Sequence, residues 1–156
     1  MRITDLMSRD VKPCYARDSL ATGARRLQQN DGRCAPVVDH RGRVVGLLTD
    51  KEVARAAATV PSPASETPVA VVMRRSPVTA HAHEPVEDAH ERMRETGARC
   101  LVVTDEDGVL AGLLSLDDLA GQAMRELRLD GREFWAKQVA RTLACCGEDR
   151  EGPAAA

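Results

Sequence analysis

The chain has 156 residues and a formal net charge of -2, with 43% hydrophobic and 29% charged residues. That balance fits one compact unit with a core of its own and excludes a wholly disordered chain. The near-neutral charge and 2% aromatic content argue against nucleic-acid binding, although Arg25, Arg26, Arg74 and Arg75 could make a local basic patch. No apolar run approaches the ~18 residues of a membrane span, and the opening MRITDLMSRD lacks the apolar stretch of an export signal, so the expected location is the cytoplasm.

In chain order, residues 11–15 read as a short extended stretch. A helix follows, which Asp18 or Ser19 can cap, with Leu20, Ala24 and Leu27 on one face and Asp31-Gly32 at its end. Strands over 34–39 and 43–48 form a hairpin whose turn, HRGR, supplies a glycine where positive φ is needed. A further helix starts at Thr49. Residues 59–68 are polar and proline-rich and read as a linker. The second half runs the same way. It has an extended stretch over 77–81, then a helix with Pro85 at its first position and Val86, Ala89 and Met93 inward. Gly97 ends that helix, strands over 100–105 and 109–114 flank the turn EDGV, and a helix starts at Ser115. Beyond Ala123 the helix runs on to Asp130-Gly131. REFWAKQVARTLACC makes another, whose stripe of Phe134 or Trp135, Val139 and Leu143 suits either its own domain or a dimer contact. Residues 148–156 read as a disordered tail.

Shifting the sequence by 66 residues aligns its halves without a gap from Ile3/Val69 to Ala57/Ala123. Of these 55 pairs 14 are identical, among them Met7/Met73, Arg33/Arg99, Cys34/Cys100, Gly46/Gly112 and Leu48/Leu114; composition alone would give roughly four. The expected organisation is a tandem duplication, residues 1–58 and 69–123, plus a helical extension over 124–147. Each half is too small to bury much core alone, so the two should pack on each other about a pseudo-twofold axis.

The five cysteines include no CxxC pair, and His40, His81, His83 and His90 have no familiar zinc spacing. No metal site and no catalytic constellation is expected: the histidines lack a nucleophile partner, and Asp117 and Asp118, adjacent on a helix, point in different directions.

The chemistry lies where each last strand turns into a helix. Thr49 and Ser115 stand at helix N-termini, where free N–H groups and the positive dipole end favour a phosphate. Glu52 and Asp118, three residues on, could accept ribose hydroxyls. Gly46 and Gly112 could let a flat base approach the backbone, Leu48 or Leu114 could give it an apolar face, and Arg33 and Arg99 could reach a phosphate. The same Thr49-x-x-Glu52 and Ser115-x-x-Asp118 spacings also fit helix capping boxes.

Pro36-Val37-Val38-Asp39, the Gly46-Leu47-Leu48-Thr49 and Gly112-Leu113-Leu114-Ser115 segments with their following acids, and the duplication together resemble the CBS-domain family, present as a tandem pair. The resemblance covers about residues 3–123. It implies an α+β fold of β-α-β-β-α repeated twice and two clefts between the repeats. It further implies binding of AMP, ADP, ATP or S-adenosylmethionine, no required cofactor, and a homodimer. The second copy fits better, with Val78-Thr79, Ser115 and Asp118. The first has Lys12-Pro13 and Glu52 at the corresponding places, which sets its ribose contact apart. The role implied is a non-catalytic sensor acting through assembly or an effector protein, since nothing beyond the pair has the size of a catalytic domain. The alternative is a redox- or metal-responsive protein of the same fold using Cys34 and Cys100, or the histidines.

Overall fold

The computed structural model of the protein describes residues 1–130 and 133–147. After a 3-10 turn at Ile3–Asp5 come β1 (Cys14–Tyr15), α1 (Leu20–Gln29), β2 (Ala35–Val38), β3 (Val44–Leu48) and α2 (Asp50–Thr59). The second half holds α3 (Val69–Val72), β4 (Thr79–His81), α4 (Val86–Thr96), β5 (Cys100–Thr104), β6 (Leu110–Ser115) and α5 (Leu116–Asp130), and α6 (Glu133–Gly147) follows. The fold is α+β, with two three-stranded sheets ordered β1-β2-β3 and β4-β5-β6. In each sheet the first strand pairs parallel with the second, and the second and third form an antiparallel hairpin.

The same local chemistry closes both hairpins. Asp39 Oδ1 accepts the N–H groups of Arg41 and Arg43 at 2.8 and 3.0 Å, and Asp105 Oδ1 those of Asp107 and Val109 at 3.0 and 2.9 Å. Gly42 and Gly108 both sit at φ 78°, open to glycine at no steric cost.

Two helices depart from the sequence expectation in detail. Ser19 caps α1, accepting from Thr22 N at 3.2 Å, while Asp18 instead accepts from Tyr15 N. Leu20 and Leu27 are buried on its inner face, but the residue between them is Gly23 rather than Ala24. A Cβ at 23 would meet Leu48 Cδ2 at 2.7 Å and Val69 Cγ2 at 3.0 Å. Gly23→Ala is therefore expected to destabilise: overpacking of about 1–3 kcal/mol outweighs a helix-propensity gain of about 1 kcal/mol. A lower urea midpoint checks this. Pro85 occupies the N-cap of α4 rather than its first helical position, and Val86, Ala89, His90 and Met93 are buried.

The leading segment of each half packs on the other half. Ile3 N donates to Glu84 O and Thr4 N to Ala82 O, both at 3.0 Å, and Ser8 and Leu113 exchange both backbone hydrogen bonds. Ile3 and Met7 thereby join the core built on Met93, Leu101, Val103 and Leu114. In return, Val69 N donates to Asp18 O at 2.8 Å, Arg74 and Leu47 exchange backbone bonds, and Val69 enters the core of Leu20, Leu27, Val37 and Leu48. The proline-rich stretch before it is docked, with Ala64 O and Thr67 O accepting from Ala21 N and Leu20 N.

A pseudo-twofold axis relates the halves, and its position follows from which equivalents meet. Cys34 and Cys100, 66 residues apart, approach to 2.7 Å between sulfurs. Arg43 and Val109, also 66 apart, pair as a bridge, flanked by Val44 N to Gly108 O at 3.1 Å and Leu110 N to Gly42 O at 3.0 Å. The axis therefore runs between the sulfurs and between the hairpin tips. Around it lies a third cluster of Cys34, Leu47, Cys100, Val102 and Leu113.

The C-terminal extension closes over the second core. Val139 on α6 is buried within it, and Thr142 Oγ1 lies 2.7 Å from His90 Nε2 on α4. Of the expected stripe, Val139 faces its own domain and Leu143 is 36% exposed. The side chains of Phe134, Trp135, Cys145 and Cys146, and the tail over 148–156, lie outside the described residues. Burial first, and then the charge of Arg94, lower the His90 pKa. A histidine whose folded pKa is depressed contributes stability that is complete above its unfolded value of about 6.5 and is lost as pH falls through the folded value. Urea stability should therefore fall below pH ~6 more steeply in the wild type than in His90→Gln. Parallel pH profiles would show otherwise if His90 were uninvolved.

Among the described residues no helix is long and apolar enough to cross a membrane.

Candidate functional site

Between the repeats lies a cavity of about 400 Å³, within the range of small-molecule sites. Two strand-to-helix junctions bound it: Thr49, Asp50 and Lys51 at the start of α2, and Ser115, Leu116 and Asp117 at the start of α5. The segments entering β2 and β5 close it with Arg33, Arg99 and Cys100, and Leu47, Arg74 and Val78 complete the wall. Each junction leaves N–H groups without helical carbonyl partners, and both helices bring their positive dipole ends to one space. Arg33, Lys51, Arg74 and Arg99 outnumber Asp31, Asp50 and Asp117 in the lining. The arrangement favours an anion.

The two acids behind the junctions differ in reach. Asp118 Oδ2 accepts from Ser115 N at 2.9 Å and Ser115 Oγ at 2.7 Å, and Asp118 N donates back to Ser115 Oγ at 3.2 Å. Arg33 of the other repeat reaches the same carboxylate at 3.3 Å while also donating to Ser8 Oγ at 3.1 Å. The Asp118 side chain retains 14% exposure, and a carboxylate with about four acceptor sites has capacity for a ligand hydroxyl. Glu52 is only 3% exposed. It accepts from Thr49 N at 3.0 Å, from the Thr49 hydroxyl, and from Arg74 Nη2 at 3.2 Å. Burial alone would raise its carboxyl pKa, but the Thr49 hydrogen bond and the Arg74 charge outweigh that and hold it below the usual glutamate value. Glu52 is thus a buried capping acid tying α2 to the exchanged segment at Arg74. Its depressed pKa makes its contribution present above about pH 4 and lost below, as acid protonates it.

Of the residues expected from the sequence, Arg33, Thr49, Val78, Arg99 and Ser115 line the cavity, and Asp118 stands one turn behind it. Others are placed elsewhere. Leu48 and Leu114 are fully buried in the two repeat cores, and Leu47 supplies the cavity's apolar wall instead. Gly46 and Gly112 face chain: a Cβ at 46 would meet Met73 Sδ at 2.6 Å and Arg74 O at 3.1 Å, and one at 112 would meet Ser8 O at 2.7 Å. These glycines admit the exchanged segments rather than a base. Thr79 is exposed on β4, and exposed Lys12 pairs with Asp10; neither borders the cavity. The sequence reading missed Lys51, Leu47 and the cavity role of Arg74. Arg74 is the counterpart of Ser8, and only the exchange of leading segments brings it here. His81 and His83 are exposed, and among the described residues no group of three or more His, Cys, Asp or Glu side chains could hold a metal ion.

The sequence profile of the CBS domain matches residues 3–59 and 69–124. A CBS domain-containing protein of Dictyostelium discoideum is 28% identical over 126 residues, covering 75% of this chain and 87% of its own. The L-aspartate semialdehyde sulfurtransferase of Methanocaldococcus jannaschii is 24% identical over 118 residues, 76% of this chain, which spans only 22% of that enzyme. A CBS domain protein from Pyrobaculum aerophilum, solved in complex with AMP, superposes with a TM-score of 0.69 at 25% identity, over 85% of this chain and all of its own. The CBS domain pair of protein MJ0100, solved with 5-methylthioadenosine and S-adenosyl-L-methionine, superposes with a TM-score of 0.70 at 23% identity, over 78% and 98%. With both profile matches covering most of the chain and the same duplicated architecture in the solved relatives, this chain belongs to the CBS domain family and carries two copies of the domain.

Proposed function

We propose that the chain is a non-catalytic regulatory module that binds an adenine nucleotide or adenosyl compound in the cavity between its repeats. The observation that carries this reading is the cavity itself, where two helix N-termini and three arginines converge. The AMP complex of the Pyrobaculum protein and the adenosyl complex of MJ0100 support the ligand class. AMP, ADP, ATP and S-adenosylmethionine are the candidates. The junction N–H groups, Arg33 and Arg99 take the anionic end, Leu47 and Val78 the base, and Asp118 the ribose hydroxyls. The Ser115/Asp118 side is favoured over the Thr49/Glu52 side because the Asp118 side chain keeps 14% exposure where Glu52 keeps 3%. A ligand touching both repeats favours the arrangement that closes on it, by no more than its differential affinity. The output then passes through the chain's assembly, as a homodimer, or to an effector protein.

Thermal unfolding with each of the four compounds tests the reading. A ligand at a hundred times its dissociation constant adds about 2.7 kcal/mol, which raises the midpoint by about 5–10 °C. No rise with any of the four would refute it.

A further inference from the structure

Two buried thiols sit on the pseudo-twofold axis, one from each repeat. Cys34 is 0% exposed and Cys100 9%, and their sulfurs are 2.7 Å apart. That is longer than the ~2.05 Å of a disulfide and well inside ordinary sulfur–sulfur contact. The pair is held from both sides: Cys34 leads into β2, Cys100 opens β5, and Leu47, Val102 and Leu113 pack around them. The cavity meets the pair at Cys100, which lines it; Cys34 does not. Cys14, the other buried thiol of the first repeat, packs in the core of Leu20, Leu27 and Val37 and has the Pro36 carbonyl 3.8 Å away, with no second sulfur as partner among the described residues.

We infer that Cys34 and Cys100 form a reversible disulfide that locks the two repeats together, with a peroxide entering through the cavity as oxidant. The Cys100 sulfur attacks the peroxide: an S–O bond forms, the O–O bond breaks, and one water leaves with the Cys100 proton. The Cys34 sulfur then attacks the Cys100 sulfur: the S–S bond forms, the S–O bond breaks, and a second water leaves with the Cys34 proton. Two thiols lose two electrons and hydrogen peroxide becomes two waters; a dithiol reverses the lock by exchange. The order follows from access and from protonation. The hydrogen bond to Cys100, and then burial, raise the Cys34 pKa, which keeps it a thiol until its neighbour is oxidised. The bond would close a 66-residue span across the axis. The inference does not depend on what the cavity binds.

The full-length protein is treated with a small excess of hydrogen peroxide, alkylated, and digested with trypsin without reduction. Trypsin cuts after Arg33 and Arg99, so each cysteine begins its own peptide, 34–41 and 100–125. The expected product is these two peptides joined, two hydrogens lighter than their sum and separated by dithiothreitol. It is retained in Cys14→Ser and absent in Cys34→Ser. Oxidation should raise the thermal midpoint of the wild type by about 5–10 °C, reversibly, and leave Cys34→Ser unmoved. Alkyl groups on both Cys34 and Cys100 after peroxide, or over-oxidation of Cys100 as fast in the wild type as in Cys34→Ser, would overturn the inference. So would disulfides from either residue to Cys145 or Cys146, or a midpoint that falls on cross-linking.

Discussion

Gly112→Ala is expected to lower stability by about 3 kcal/mol, a large effect for one methyl group on a strand. The added Cβ meets Ser8 O at 2.7 Å and Met7 Sδ at 2.9 Å. The sulfur can swing aside, but the carbonyl cannot, because Ser8 and Leu113 exchange backbone hydrogen bonds at 2.9 and 3.0 Å. Relief requires moving the whole leading segment, and with it Ile3 and Met7, out of the second core. Two other glycines separate this from a general intolerance. Gly108 sits at φ 78° with open space around it, so alanine there costs only the strain of the left-handed region, about 1 kcal/mol. Gly121 lies in α5 with nothing within 4 Å of a new Cβ, and alanine there gains up to about 1 kcal/mol. Chemical denaturation orders the variants. A Gly112→Ala protein as stable as the wild type would mean that the leading segment is not packed as described.

Under the proposed function, Arg99→Ala is expected to weaken AMP binding about 10- to 100-fold, the value of one charge-assisted hydrogen bond to a phosphate of about 1.5–3 kcal/mol, and to leave stability within about 0.5 kcal/mol. Its side chain is exposed, lines the cavity, and makes no hydrogen bond or ion pair among the described residues. Nothing in the fold is lost with it. Arg33, its counterpart, is engaged with Ser8 and Asp118, so Arg33→Ala loses stability and affinity together. Affinities from calorimetry beside urea midpoints separate the two. Equal affinity in Arg99→Ala and wild type would remove Arg99 from the site.

The duplication was legible because 66-residue spacing repeats Gly-Leu-Leu, Arg-Cys and the Asp-x-x-Gly turn, each a local signal. The hairpins, the helix starts and the α+β class follow from such signals. The exchange of leading segments was not legible, because it is a choice of which half a short apolar segment packs on. Met7 and Met73 suit either core equally in sequence terms. That single long-range fact decides the roles of several residues. It turns Gly46 and Gly112 from a base platform into passages for the chain, and it carries Arg74 to Glu52. Leu48 rather than Leu47 was the expected apolar face for a similar reason: a strand alternates, but sequence does not say which face meets the axis. The equivalence of Cys34 and Cys100 was legible in the repeat, but not that both stand next to the axis, where equivalent residues face each other.

The proposed function stands or falls with the cavity taking an adenine ligand. Isothermal titration of AMP and of S-adenosylmethionine into the wild type, Arg99→Ala and Asp118→Ala proteins puts that at risk. Saturable binding of at least one compound to the wild type, weakened at least tenfold by each substitution, is the expected result. No binding of either compound, or affinity unchanged in both variants, would contradict it.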